Sequence, residues 1–465
     1  MRIYPLKEGE NMSPLLYLCL AIAMILVLFA VLRRPMYEVI LLTFLVFTVL
    51  SGHLAELPGY FLTVAKNSTL YSIVAFIAFS AVMSKTGVIE DFLDIVVALV
   101  GRFSGGAGYV AIAASSIMGS LSGSAPGNAA SVGSITIPAM KKTGYSPELA
   151  AVVGTASSSL GMLIPPSAAI LTIYGILTTI YPSCCTLPQF WMIMWGMALW
   201  LILQRIITLI IYIKKNRIGP ISKEDRPDLK AAVKKGWKAI FLPVLILLPF
   251  LLDSGLKPFY QSRLGNAGAS MLSGSLLVLI PSIASAYVIL IAKDKSFLKK
   301  DKWIRFFSDA VMQIVPVAII VFAGFALGEL FDDIGVGAAI GAVLAGATIP
   351  RWFVIFVVPI VWMILGMFLE PLMILLMVGE TVILLAASVG INPILMAAAS
   401  IAMGHVMANM TPPFATTFFV CMGIAEADFV KSTKMVAVWC VAQYICVVLI
   451  MLGILPVMGM VPFTP

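Results

Sequence analysis

Two proline pairs, Pro165-Pro166 and Pro412-Pro413, interrupt apolar stretches that would otherwise each form one continuous helix. Proline has no backbone N–H and clashes with the preceding turn, so two in succession unwind a helix and free carbonyl oxygens. At membrane depth those oxygens survive only where they line a cavity or coordinate something. Because oxygen ligands suit a hard cation such as sodium, the two breaks predict paired ion-binding sites.

Small and oxygen-bearing residues accompany both breaks. They lie in the segments 122–128 and 161–167 of the first half, and in 368–373 and 409–416 of the second. The predicted ion- and substrate-binding residues are Ser122, Gly123, Ser124, Asn128, Gly161, Pro165, Pro166, Ser167, Glu370, Pro371, Asn409, Thr411, Pro412, Pro413 and Thr416. The predicted cation ligands among them are Ser124, Asn128, Glu370 and Thr411.

Glu370 is the acidic residue that the sequence places in the middle of an apolar segment. A carboxylate at that depth is costly, so it is a functional candidate by default. Its simpler interpretation is a structural carboxylate that accepts hydrogen bonds from neighbouring backbone donors. The small residues of the two tips have a simpler interpretation as well, since such residues often serve close helix packing.

Further landmarks keep nearly the same distance from the two proline pairs. Gly87 and Gly335 precede them by 78 and 77 residues, Pro126 and Pro371 by 39 and 41, and Pro147 and Pro393 by 18 and 19. Each of the last two prolines suits the first turn of a helix. The coincidence of these landmarks in the same order predicts an internal duplication.

Composition defines the environment of the chain. Of 465 residues, 61% are hydrophobic and 11% are charged. A chain of this composition has more apolar surface than a water-soluble fold could bury. Apolar runs reach the roughly 20 residues that span a bilayer, so the chain is predicted to be an all-α polytopic membrane protein. The first run, 15–32, lacks a small-residue cleavage site and is expected to be retained. No GxxxxGK[ST] pattern for ATP is present.

The formal charge of +8 comes from basic residues near the ends of apolar runs, an arrangement that favours cytoplasmic loops over nucleic-acid binding. The main clusters are Arg33-Arg34, Lys141-Lys142, the segment 214–238 and the segment 293–305. With these loops inside, both chain termini are predicted outside. The segment 109–140 then has cytoplasmic charge at both ends, which predicts a re-entrant helical hairpin.

The second half is predicted to repeat this plan with inverted orientation, because the loop 388–392 lacks the lysines of the first copy. The predicted domains are a first repeat at 1–189, connecting helices at 190–266 and a second repeat at 267–465. The first repeat contains the hairpin 109–140 and the broken helix 147–180. The second contains the hairpin 353–387, the broken helix 393–425 and a C-terminal helix.

No catalytic or cofactor site is predicted. The six cysteines and two histidines have no metal-ligand spacing, and no cofactor is expected. An intramembrane enzyme remains an alternative through Glu370 with His405, although neither belongs to a recognisable motif. A passive channel is the other alternative, because channels also use broken helices.

Several motifs of the chain match those of a known family. They are Ser122-Gly123-Ser124, Ile137-Pro138, Gly144-Tyr145-Ser146-Pro147 and Leu163-Ile164-Pro165-Pro166-Ser167 within 119–175, and 365–369 and Thr411-Pro412-Pro413 in the second half. With these motifs the chain resembles the large permease subunit of tripartite ATP-independent periplasmic (TRAP) transporters. The resemblance extends over nearly the whole chain. Two positions depart from the family pattern: Glu370 stands where an aspartate is usual, and Asn409-Met410 precede the second Thr-Pro-Pro.

The resemblance implies an elevator-type, sodium-coupled symporter in the cell inner membrane, with sodium as the coupling ion at Ser124, Asn128, Glu370 and Thr411. It also implies a small four-helix membrane subunit and a periplasmic binding protein that delivers an organic acid, such as a C4-dicarboxylate or sialic acid. Membrane lipid is the remaining expected partner, and binding to nucleic acid is not expected. A stand-alone ion-coupled carboxylate transporter is the alternative within the same class.

Overall fold

A computed structural model of the chain describes residues 12–83, 86, 88–122, 124–182, 184–292, 295, 299–346, 349–367, 371–412 and 415–460. The first helices are α1 (Pro14–Leu26), α2 (Met36–Leu50), α3 (Leu57–Ala65), α4 (Ser68–Met83), α5 (Val88–Val100), α6 (Gly106–Ser122), α7 (Ala125–Ser131), α8 (Gly133–Lys142), α9 (Pro147–Leu160) and α10 (Ala168–Ile180). The others are α11 (Leu187–Asn216), α12 (Leu229–Ile291), α13 (Lys300–Ile334), α14 (Val336–Gly346), α15 (Arg351–Gly366), α16 (Pro371–Ser388), α17 (Pro393–Ser400), α18 (Thr416–Ala425) and α19 (Phe429–Met451). These ranges contain no β-strand, so the all-α prediction is confirmed.

The helices have the length and composition of membrane spans. Within the described residues, four helical stretches are long and apolar enough to cross a bilayer unaided: Leu187–Asn216, Gly274–Ile291, Ile314–Ile334 and Phe429–Met451. The stretches Pro147–Leu163 and Ala168–Ile180 pass the same test as a pair that is bent by 41°. The chain is therefore a multi-pass membrane protein.

The chain divides into two compact units, the smaller of which comprises 1–67 and 319–348. In this unit Tyr60 donates a hydrogen bond of 2.8 Å to Asp333. The ring of Phe61 packs on those of Phe44 and Phe322, with centroid distances of 5.8 and 5.4 Å. Helix α3 is missing from the sequence prediction because its nine residues are too few for a span.

The larger unit comprises 68–318 and 349–465 and contains both predicted hairpins and both broken helices. Helix α6 packs against α8, and α15 packs against α16, so each hairpin has two contacting arms. These two units differ from the three predicted domains, and the domain boundaries remain a prediction.

The first arms of the two broken helices begin with the same local chemistry. Ser146 caps α9 by accepting from the Leu149 amide at 3.2 Å, and Asn392 caps α17 by accepting from the Ile394 amide at 2.9 Å. In each case proline is the first helical residue, where its missing N–H costs nothing. The repeated cap-proline pair therefore fixes where each broken helix starts.

The second arms of the broken helices pack on the opposite half of the chain. Helix α10 lies against α16 of the second hairpin, while α18 lies against α7, α8 and α9. A Cβ placed on Gly379 would lie 3.0 Å from Ile173 Cδ1, and one on Gly154 would lie 3.2 Å from Cys421 Sγ. This reciprocal exchange is the packing that an internal duplication predicts.

Helix α12 covers two apolar stretches of the sequence, 239–252 and 267–292. The connection between them is helical except at Gly265, whose φ of 71° and ψ of 175° break the helix. Within that connection Tyr260 donates to the Asp253 carboxylate at 2.8 Å. Glycine suits the break because positive φ is strained for residues with a Cβ.

The N-terminal end of α12 is tied to α5 by charge. Lys235 contacts Asp94 at 2.6 Å and Asp91 at 3.3 Å. The hydrogen bond to Asp94 and the charges of both carboxylates raise the pKa of Lys235. This cluster, in which Lys235 is exposed and Asp91 is buried, lies before the apolar part of α12 and ties it to α5.

Candidate functional site

The tip of the first hairpin is a short interruption between α6 and α7. Helix α6 ends at Ser122, Gly123 lies outside the described residues, and Ser124 caps α7. The Ser124 hydroxyl accepts from the Gly127 amide at 3.1 Å. Because Ser124 is exposed and already accepts a backbone hydrogen bond, its established contact is that of a helix cap.

Asn128 ties this tip to the broken helix beside it. Its side chain is fully buried, and Nδ2 donates to the carbonyls of Ser115 on α6, at 2.8 Å, and Ser158 on α9, at 3.2 Å. One amide group thus joins both hairpin arms to the helix that leads into the first break. This contact fixes the direction of the other amide atom, Oδ1.

Two buried oxygens at this junction lack a hydrogen-bond donor. Within the described part of the chain, Asn128 Oδ1 and Ser158 Oγ have no partner. An unpaired buried polar atom costs on the order of 1–3 kcal/mol, so native structures rarely retain one without reason. Neutral oxygens left free in a buried polar junction fit the needs of a bound sodium ion.

The first break follows directly from this junction. Gly161–Leu163 form a single 3-10 turn, Ile164 is extended, and Ser167 caps α10 by accepting from the Ile170 amide at 3.3 Å. The Ser167 hydroxyl also donates to the Met162 carbonyl at 2.7 Å. Ser167 therefore satisfies one of the carbonyls near Pro165-Pro166 that the helix break was expected to leave free.

The first hairpin touches the first break through two glycines. A Cβ placed on Gly161 would lie 2.4 Å from the Cα of Gly119, closer than real Cβ contacts allow. A Cβ on Gly119 would lie 2.6 Å from Asn128 Nδ2. Both positions need glycine because the two backbones touch.

The second hairpin makes the equivalent contact with the second broken helix. A Cβ on Gly366 would lie 2.6 Å from the Cβ of Ala408. Gly119 and Gly366 each stand 46 residues before their proline pairs, and Gly161 and Ala408 each stand four before. The duplicated landmarks therefore correspond to duplicated contacts.

The second broken helix widens before it breaks. Helix α17 continues as a π-helical turn at Ile401–Val406, a feature often found at functional sites. Gly404 in this turn packs on Trp362 of α15, where a Cβ would lie 2.4 Å from Cε3. This turn could not be predicted from the sequence, because π-helical turns have no proline or glycine signature of their own.

The polar residues of the second break bond to one another. Asn409 Nδ2 donates to the His405 carbonyl at 2.9 Å, and Asn409 Oδ1 accepts from the Thr417 hydroxyl at 2.9 Å. The Thr411 hydroxyl donates to the Met407 carbonyl at 3.1 Å. Asn409 therefore bridges the two sides of the break, and its amide oxygen already has one donor.

The remaining predicted residues of the second half lie on both sides of the tip. Glu370 and Pro413 lie outside the described residues, and Pro412 is half-buried. Buried Pro371 begins α16, and its backbone forms a hydrogen bond with His405. Exposed Thr416 is the first residue of α18. The structure thus brings the second tip and the second broken helix together, as it does the first pair.

The two junctions belong to one packed region. The 3-10 turn at Gly161–Leu163 contacts the π-helical turn at Ile401–Val406. At the far end of α18, Lys141 donates to the Ala425 carbonyl at 2.9 Å, joining the first hairpin to the second broken helix. The hydrogen bonds of Asn128 and those of Thr411 have no partner in common, so the two junctions form neighbouring clusters.

Arg205 is the principal residue that the sequence analysis missed. It is fully buried in α11, and it donates to Gln443 of α19, to Met410 Sδ at 3.1 Å and to Gln204 at 3.2 Å. Its guanidinium carbon lies 5.7 Å from the ring centroid of Trp439. A lone cation inside an apolar span was the available signal. Arg205 holds the Met410 side of the second break through partners that are all neutral.

Two helices broken beside two hairpins, within an all-helical apolar chain, define a polytopic membrane transporter. The chain belongs to the family described as "Tripartite ATP-independent periplasmic transporter, DctM component", whose model matches residues 17–456. It is the large permease subunit of such a transporter.

The relatives agree with this assignment. The C4-dicarboxylate TRAP transporter large permease protein DctM of Vibrio cholerae is 26% identical over 396 residues, covering 83% of this chain and 84% of the relative. The sialic acid TRAP transporter permease protein SiaT of Haemophilus influenzae is 24% identical over 385 residues, covering 82% of this chain and 58% of the relative. The crystal structure of the Alcanivorax borkumensis YdaH transporter matches with a TM-score of 0.60 and 15% identity, covering 86% of this chain and 87% of the other. This last likeness concerns the fold.

Proposed function

We propose that this permease is a sodium-coupled symporter that imports an organic acid. The observation that carries the proposal is the buried junction at the first tip, where Asn128 Oδ1 and Ser158 Oγ have no hydrogen-bond donor. A sodium ion would satisfy both oxygens without any proton transfer. Its binding would join the first hairpin to the first broken helix.

The second junction would hold the inverted counterpart of this site. Thr411 and Glu370 are its proposed ligands, with Asn409 positioned across the break by Thr417. The Asn409 amide oxygen keeps one lone pair after accepting from Thr417, so it can still approach a cation. Ser124 supports the first site as the cap of α7.

The proposed substrate is a small organic anion. The relatives are named for C4-dicarboxylate, sialic acid and isethionate, all of which carry a negative charge. Helices α10 and α18 both begin at the breaks, and a helix N-terminus presents free N–H groups that favour an anion. The substrate would therefore lie between the two breaks, beside the sodium ions.

We further propose that the permease works with a small four-helix membrane subunit and a periplasmic binding protein that delivers the acid. The word "periplasmic" in the family description supports the second partner. The relative named DctMQ, of which this chain covers 57%, supports the first. The proposed location is the inner membrane, with both termini outside and the basic loops inside. An elevator-type movement of hairpins and broken helices would expose the site to each side in turn.

Sodium binding tests the proposal without knowledge of the acid. Purified permease would be titrated with sodium chloride against choline chloride while its thermal unfolding is followed. We expect sodium to raise the melting temperature of wild type and to raise it less in Ser158→Ala. Equal stabilisation by sodium and choline would contradict the proposed ion site.

A passive channel is the alternative from another class, since it could use the same broken helices. A channel only equilibrates its solute, whereas a symporter accumulates it against a gradient. No covalent chemistry is proposed, and His405 contacts the Pro371 backbone through a hydrogen bond.

A further inference from the structure

The larger unit also contains an apolar groove that is not part of the proposed ion and substrate sites. It has a volume of about 770 Å³ and lies between α6 and α11. Its lining residues share an apolar character, with a few hydroxyl groups, and the main ones are Phe103, Tyr109, Ile112, Ile164, Trp195 and Ile206. Since α11 is a membrane span, the groove lies at the depth of the hydrocarbon core.

The stretch of α11 that lines the groove matches one leaflet in length. From Trp195 to Ile206 the helix rises about 16 Å at 1.5 Å per residue. The hydrocarbon core of a bilayer is about 30 Å thick, so one leaflet contributes about 15 Å. The lining also includes buried Ile164, which immediately precedes the first proline pair.

The groove is positively charged where Phe103 lines it. The guanidinium carbon of Arg102 lies 5.1 Å from the ring centroid of Phe103, which lines the groove. Lys214 and Lys215 occupy the last turn of α11, on the same side. Gly105, next to the groove, contacts Ile213 in that last turn, which places these cations level with the mouth.

We infer that this groove binds one acyl chain of an anionic phospholipid, with its phosphate at Arg102 and the basic end of α11. The apolar lining accepts the chain, and the cations at the mouth complement the phosphate, as basic residues near a membrane surface do. The chain end would lie against Ile164. The bound lipid would thereby contact the backbone that forms the first break and would influence its movement during transport.

Adjacent residues of α11 supply a matched test. Ile206 lines the groove, whereas exposed Ile207 is not among its lining residues. Permease purified in mild detergent from membranes containing phosphatidylglycerol would be examined by native mass spectrometry. We expect wild type and Ile207→Trp to retain a phosphatidylglycerol molecule and Ile206→Trp to lose it. Equal retention by the two variants would overturn the inference.

A second pair of variants tests the headgroup. Arg263 lies over Phe259 at 5.7 Å, a stacking geometry like that of Arg102 over Phe103 but outside the groove. Arg102→Gln should reduce retention of phosphatidylglycerol relative to phosphatidylethanolamine, and Arg263→Gln should not. An unchanged lipid preference in Arg102→Gln would remove the proposed phosphate contact.

A photoreactive amino acid at position 206 identifies the occupant in native membranes and does not depend on a bulky substitution. Illumination should produce an adduct with the mass of a phospholipid. A protein adduct would show that a helix of another subunit covers the groove and would overturn the lipid assignment. Absence of any adduct at position 206, with an adduct formed at position 207, would also overturn it.

Discussion

Gly119 of α6 lies against Gly161 at the first break so closely that a Cβ on Gly161 would be 2.4 Å from the Cα of Gly119. Gly366 and Ala408 repeat this relationship at the second break, where a Cβ on Gly366 would be 2.6 Å from that of Ala408. A hairpin arm and a broken helix therefore meet backbone to backbone in both halves. The ion site that we propose depends on that contact.

Gly161→Ala should separate α6 from the first break. Overpacking of this kind costs roughly 1–3 kcal/mol, and the shift would carry Asn128 away from Ser158. We expect a lower melting temperature and weaker sodium activation of uptake. Gly423→Ala is the control, since a Cβ there meets nothing within 4 Å. Wild-type sodium activation in Gly161→Ala would mean that the contact is not needed for ion binding.

Ser158→Ala should weaken sodium activation with little loss of stability. Its hydroxyl has no hydrogen-bond partner among the described residues, so its removal breaks no internal bond. Loss of one oxygen ligand worth about 1 kcal/mol corresponds to roughly fivefold more sodium for half-maximal uptake.

Neighbouring Ser157 provides the control for that variant, because its buried hydroxyl donates to the Val153 carbonyl at 2.6 Å. Ser157→Ala should affect stability and leave the sodium requirement unchanged. The same sodium curve for Ser158→Ala and wild type would exclude the Ser158 hydroxyl as a ligand.

Much of the fold could be predicted from the sequence because proline and small residues determine where helices break. Pro147 and Pro393 begin helices as expected, and the broken helix predicted at 147–180 ends at Ile180. The repeated spacing of Pro165 and Pro412 also indicated the duplication that the packing contacts repeat.

The residues that position the site could not be found from spacing alone. Asn128 was predicted as a ligand, but its two carbonyl partners lie 13 and 30 residues away in the chain. Ser158 was not selected, because one serine among three consecutive serines carries no distinguishing signal. Arg205 does have a sequence signal, since it is a cation within an apolar span. Its contact with Met410 could not be predicted, because the two residues are 205 positions apart.

Arg205 and Gln443 should show strong energetic coupling. Arg205→Met leaves the Gln443 carbonyl oxygen without its buried donor, at a cost of roughly 1–3 kcal/mol. A double-mutant cycle with Gln443→Leu, measured by denaturant unfolding in detergent, should therefore give a coupling energy of about 1 kcal/mol or more. Arg263→Met is the exposed control. Additive effects of the two single changes would contradict the contact.

Replacement of Pro412-Pro413 by Ala-Ala should let the second broken helix continue. The restored backbone hydrogen bonds would withdraw carbonyls from the site and move Thr417 away from Asn409. We expect normal expression and folding with loss of transport. Full uptake by the well-folded double variant would show that the break serves packing alone.

Glu370→Gln should raise the sodium concentration for half-maximal uptake, because the sequence puts this residue in an apolar segment, where a carboxylate is seldom found without a cation or donors. Glu370→Asp keeps the charge and should retain more activity. Uptake across a sodium series compares the three proteins. Overlapping curves for wild type and Glu370→Gln would make Glu370 a structural residue.

Concentrative uptake in proteoliposomes tests the central claim most directly. The permease would be reconstituted with its small subunit and binding protein, and accumulation of radiolabelled succinate, sialic acid and isethionate would be measured with an inward sodium gradient. The account predicts that one of these acids accumulates above its external concentration, and that accumulation stops when the sodium gradient is dissipated. Uptake that only equilibrates the acid, or that proceeds equally with choline in place of sodium, would contradict sodium-coupled symport.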